Sequence, residues 1–174
     1  MLRILRSIFN FDENYSVTTI KKATSKKTVS KKAVSKEEKP LIKYSDKSAG
    51  QPELVLIFER LKQLMLPFKK GAIKVHADTG GQIHLISHKA IEIEGRKRPE
   101  LWFVSALVQK GYVGFYFMPL SFYKPQGEKL HPELMKCLKG KACFHIKKND
   151  ETLYKQINEA LKIGYNIYKE RGWV

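Results

Sequence analysis

From Pro52 onward the hydrophobic positions follow two rhythms. Leu54, Ile57, Phe58, Leu61, Leu64 and Met65 recur at three- and four-residue intervals, the spacing of an apolar stripe on one helix face. Pro52 and Glu53 suit a first helical turn, where a missing N–H costs nothing and an acid complements the helix dipole. Pro67 predicts the end of this helix. The period then changes to two. Ile73, Val75 and Ala77 alternate with Lys74 and His76, Asp78-Thr79-Gly80-Gly81 reads as a turn, and Ile83 and Leu85 belong to the returning strand. Ala90 to Ile93 is a short strand, and the polar stretch Glu94 to Glu100 is a loop. Leu101 to Val108 and Tyr112 to Phe117 are the strongest strand patterns, joined as a hairpin through Gln109-Lys110-Gly111.

A loop holding Pro119, Pro125 and Gly127 follows, then a short helix over His131 to Leu138 that starts at Pro132 and is stopped by Gly140. Ala142 to Ile146 is the last strand. The closing helix is capped by Asn149 or Asp150, shows Leu153, Ile157, Ala160, Leu161, Gly164 and Tyr168 on one face, and ends at Gly172. Gly164 on that apolar face predicts a close approach to a strand. This order predicts an α+β domain: an antiparallel sheet with the N- and C-terminal helices packed on one face, plus a short helix before the last strand.

The first 49 residues are different material. Met1 to Phe9 places Leu2, Leu5, Ile8 and Phe9 opposite Arg3 and Arg6, a basic amphipathic stub too short to be a stable helix alone. Between Lys21 and Ser35 a lysine-pair motif recurs with a period of five, which fits neither helix nor strand. No large apolar residue interrupts it, so burial cannot offset chain entropy. Residues 1–49 therefore read as a basic, largely disordered tether, and residues 50–174 as the folded domain. The net charge is +16, and ten lysines against Glu37, Glu38 and Asp46 put about half of it between Val17 and Ser48. A surplus of that size attracts polyanions. Lys21, Lys22, Lys26, Lys27, Lys31 and Lys32 are the expected phosphate contacts, joined by Arg96, Lys97 and Arg98 from the domain. The repeat resembles the lysine-rich tails of linker histones and bacterial histone-like proteins.

Strand parity selects a second group. Tyr112 and Tyr116 point away from Val113, Phe115 and Phe117. Lys74, His84, Trp102 and His145 belong with them on a sheet face away from the helices, although the phase of Trp102 is ambiguous in Leu101 to Val108. Aromatic rings beside lysines are what a base-stacking platform needs. His76, His84 and His145 on one face would also suit zinc, although no carboxylate or cysteine stands beside them at ligand spacing.

No phosphate-binding glycine loop, nucleophile elbow or paired-cysteine motif occurs, so no catalytic residue, cofactor or metal ligand is assigned. Cys143 and His145 share a strand face but lack an orienting third group. Two cysteines and no apolar run of membrane-spanning length point to a reducing, cytoplasmic setting. Nucleic acid is the first expected partner. A small molecule or metal on the far face, or a protein partner, are the alternatives.

The stretch GYVGFYFMP (Gly111 to Pro119), the segment LKGKACFHIKK (Leu138 to Lys148) and the helix ending YKERGWV together resemble the YdhG-type domain of unknown function. Gly114-Phe115-Tyr116 and Lys141 to Phe144 stand where that family shows its recurrent strand motifs. The family's signature after its first helix is replaced here by Leu66-Pro67-Phe68. The resemblance implies a small α+β fold that has been compared with frataxin, and no established catalytic residues. Iron handling of the frataxin type would use an acidic ridge, whereas the first helix offers only Glu53 and Glu59.

Overall fold

The computed structural model describes residues 45–122 and 129–174. The amphipathic stub, the paired-lysine repeat with Lys21, Lys22, Lys26, Lys27, Lys31 and Lys32, and the part of the loop with Pro125 and Gly127 lie outside the described residues.

Helix α1 spans Pro52–Met65 and buries Leu54, Ile57, Phe58, Leu61 and Met65, the stripe that its sequence spacing predicts. No side chain caps its start. Instead Gln51 ties it to the sheet: its Nε2 donates to the carbonyl of Gln109 (3.1 Å) and its Oε1 accepts from the N–H of Gly111 (2.8 Å). A 3₁₀ turn over Leu66–Phe68, carrying Pro67, ends the helix.

Among the described residues six strands form one antiparallel sheet: β1 (Ile73–Thr79), β2 (Gln82–Ser87), β5 (Leu101–Gln109), β6 (Tyr112–Phe117), β7 (Leu138–Lys139) and β8 (Cys143–Ile146). Their order across the sheet is β1-β2-β5-β6-β8-β7. Between β2 and β5 the chain makes a separate two-stranded hairpin, β3 (Ile91–Ile93) and β4 (Arg96–Arg98). Two short helices, α2 (Pro119–Phe122) and α3 (Pro132–Lys136), lead to β7. The long helix α4 spans Glu151–Glu170, its start capped by the Asp150 carboxylate, which accepts from the N–H groups of Thr152 and Leu153.

Helices α1 and α4 touch each other and pack on one face of the sheet, over Ile83, Leu85, Val104, Ala106, Phe115, Phe117 and Phe144. This is the predicted α+β arrangement. Gly164 makes the packing of α4 possible. A Cβ there would lie 2.6 Å from Cζ of Phe117 and 2.8 Å from Cγ of Pro119, so the absent side chain is what lets α4 reach the end of β6. At the far end of α4, Tyr168 donates its hydroxyl to the carbonyl of Trp102 (2.6 Å) and packs edge-on against Phe103 and Trp173.

Three sequence expectations change. Glu94 to Glu100 is not all loop. Arg96–Arg98 pairs with Ile91–Ile93 through a two-residue turn at Glu94 and Gly95, both with positive φ. The charged composition hides a strand that is held by backbone pairing rather than by burial. Pro119 begins a short helix instead of lying in a loop, a position where its fixed φ is no obstacle. The alternation in β1 breaks at His76, a bulge between Val75 and Ala77, so Ala77 pairs with His84 and leaves the helix-covered face.

Candidate functional site

The register decides which side chains share the face away from α1 and α4, hereafter the far face. Directly paired residues point the same way. Tyr116 lies opposite Ser105 and Cys143, Gly114 opposite Leu107 and His145, and His84 opposite Ser105 and Ala77. In β5 the pairing passes from Trp102 opposite Ile86 to Val104 opposite Leu85, so Phe103 is an extra residue. That bulge settles the phase of Trp102: Phe103 and Val104 are both buried, and Trp102 joins His84. Lys74, opposite Ile86, completes the set. All six residues named from parity, Lys74, His84, Trp102, Tyr112, Tyr116 and His145, therefore lie on one face.

They do not form one cluster. Over β6 and β8, the rings of Tyr112 and His145 stack nearly parallel, with centroids 3.8 Å apart and planes inclined by 14°. Tyr116 leans back over Gly114, where a Cβ would come within 2.9 Å of Cε2 of its ring. The glycine makes room for a flat aromatic layer. Tyr116 also shares a hydrogen bond with the Cys143 thiol. Burial pushes the pKa of the phenol up, and the neighbouring Cys143 adds to the shift. Burial likewise raises that of the thiol, which the Tyr116 hydrogen bond only partly offsets. Both groups thus keep their protons near neutrality, and Cys143 lacks the thiolate character of a nucleophile. Burial lowers the pKa of the His145 imidazole, with Lys147 and Lys139 pushing the same way, so its ring is neutral at pH 7.

Over β1, β2 and β5, the ring of Trp102 meets His84 edge-on at 4.9 Å and lies 6.2 Å from His76, which in turn lies 6.3 Å from His88. His84 is only 8% exposed. Burial, then the nearby His76, pushes its pKa down to about 4. Its Nε2 lies 3.0 Å from Oε1 of Gln82, and Nδ1 is buried with no partner among the described residues. With Nε2 donating to Gln82, Nδ1 is a bare acceptor. His84 thus packs under Trp102, while Trp102 itself stays partly exposed.

One candidate grouping fails. His145 is separated from His84 by β5 and β6, about 14 Å of sheet, so His76, His84 and His145 do not converge. Among the described residues no group of three His, Cys, Asp or Glu side chains is placed to hold a metal ion. Arg96, Lys97 and Arg98 form β4 of the small hairpin. Arg96 and Lys97 are exposed, but the Arg98 guanidinium lies 5.9 Å from the Phe122 ring centroid. Cys143, expected on the strand face of His145, lies opposite Tyr116. Parity reasoning missed Lys139, paired with Cys143, because it comes from a two-residue strand too short to show alternation.

No protein-family model, no curated protein and no solved structure matches this chain. Among the described residues no helix is long and apolar enough to cross a membrane.

Proposed function

We propose that this is a non-enzymatic binding protein that associates with nucleic acid without sequence preference, taking unpaired bases on its far face. The observation that carries this reading is the half-exposed aromatic layer of Tyr112, His145 and Tyr116, with Lys139 and Lys147 beside it and Trp102 and Lys74 farther along the same face. Every base has a π-face, so stacking on such rings binds strands whatever their sequence. The neutral imidazole of His145 stacks without repelling the neighbouring lysines. In the same reading, residues 1–49 are a basic tether whose lysine pairs hold phosphates as point charges, residues 50–174 are a YdhG-like domain, and Arg96 and Lys97 add to the domain's positive surface.

Titration with single-stranded and duplex DNA at several salt concentrations tests the proposal. The single strand should bind more tightly and quench the Trp102 fluorescence; Trp173, 7% exposed, serves as the internal reference. Affinity should fall linearly on a log–log plot against salt, with a slope of about −0.7 per phosphate neutralised. Removing Met1 to Ser48 should weaken binding more than any single domain substitution. Absence of binding at low salt sinks the reading.

A further inference from the structure

His145 also forms a wall of a second concavity, at the edge of the sheet where α3, β8 and the first turns of α4 meet. Its volume is about 430 Å³, large enough for a small ligand. Lys136, Lys139, Lys147 and Lys148 line it, against the carboxylates of Glu133 and Asp150. Both carboxylates are engaged. Glu133 Oε1 lies 2.6 Å from Nζ of Lys136, and Asp150 caps α4. Lys139, Lys147 and Lys148 have no ion pair among the described residues. The helix end is already satisfied by Asp150, so attraction for an anion comes from these lysines rather than from the helix dipole.

Gln156 lines the same pocket but is only 8% exposed, and its Oε1 is fully enclosed with no hydrogen-bond partner among the described residues. That orphaned acceptor costs stability and lies out of a ligand's reach, so recognition rests on the lysines.

Building on the reading of the far face, we propose that this pocket takes the phosphorylated end of a nucleotide, with the phosphate against Lys139, Lys147 and Lys148. His145, stacked on Tyr112, stands at the shared wall, where a base adjoining that phosphate extends the stack. The same chemistry is offered by a free mononucleotide and by the terminus of a strand.

The full chain, with its histidines isotopically labelled, is titrated with inorganic phosphate, a mononucleotide, and a short oligothymidine with and without a terminal phosphate. The phosphate-ended strand should bind about tenfold more tightly than the hydroxyl-ended one, as expected for charge-assisted hydrogen bonds. The His145 titration should move upward as the anion binds, because a negative charge offsets Lys147 and Lys139. Lys148→Gln, an exposed change, should weaken the preference without affecting folding, and changing Lys139 and Lys147 to Gln as well should erase most of it. A mononucleotide that binds as well as the strand end supports the pocket and assigns it to free nucleotides; a preference confined to strands supports it and assigns it to termini. Equal affinity for the two strands with no movement of His145 overturns the pocket while leaving base stacking intact. Mononucleotide binding with neither strand bound overturns base stacking and leaves the pocket standing.

Discussion

Strand β6 has the same backbone on both sides and opposite uses for them. Val113, Phe115 and Phe117 point under the helices and are completely buried, whereas Tyr112 and Tyr116 on the far face stay half-exposed with Gly114 between them. Each side also contains one glycine contact. Gly164 of α4 makes room for a fully buried Phe117, and Gly114 makes room for the partly exposed Tyr116 ring. The lesson is that close packing alone does not distinguish a core from a working surface. What differs is whether the neighbour can move when it is crowded.

The sharpest way to separate the two sides is truncation on the covered one. Phe115→Ala should cost about 3–5 kcal/mol of stability, measured by urea unfolding, because a fully buried ring leaves a cavity. The far face has its own exception in His84. Its folded pKa of about 4 lies below the ordinary 6.5, so protons bind the unfolded chain better. Stability should be complete above pH 6.5 and fall by about 2–3 kcal/mol as pH drops toward 4, and His84→Gln should remove most of that slope. A flat profile in the parent protein would mean that His84 is solvated and that this half of the far face is more open than its burial indicates.

The glycines give a smaller and more direct contrast. Gly164→Ala should cost about 1–3 kcal/mol, since Phe117 and Pro119 are fixed by the core. Gly114→Ala should cost less than about 1 kcal/mol, because the end of the Tyr116 ring can swing away. It should nevertheless weaken strand binding by displacing that ring, which fluorescence titration would detect. Smallest in stability is Tyr112→Ala, with a change within about 1 kcal/mol and a loss of about 1–3 kcal/mol in binding to single strands. Unchanged affinity there would remove the stacking layer from the mechanism.

Much of this arrangement is legible in the sequence because burial leaves a periodic mark. The stripe on α1, the face of α4 and the parity of Tyr112, Tyr116 and His145 all follow from it. The bulges at His76 and Phe103 leave none, since an extra residue in a strand is paired or unpaired only by its neighbours. The β3–β4 hairpin is obscured for another reason: its strands are short and charged, so backbone pairing holds what side-chain pattern does not announce. The pocket beside His145 draws on α3, β7, β8 and α4, and no local window contains such a convergence. One signal was present. Gln156 interrupts the apolar arc of α4 between Leu153 and Ala160, a polar residue where the helix is otherwise buried.

The bulge in β1 has a further consequence for how the molecule meets others. β1 forms one border of the sheet, and at His76 its ladder of N–H and C=O groups is locally out of step. Lys74 lies beside that irregularity, and the opposite border, β7, is two residues long. A neighbouring molecule seeking to add a strand finds a bent, charged margin on one side and almost no margin on the other. The sheet margins thereby discourage edge-to-edge polymerisation without covering the aromatic far face.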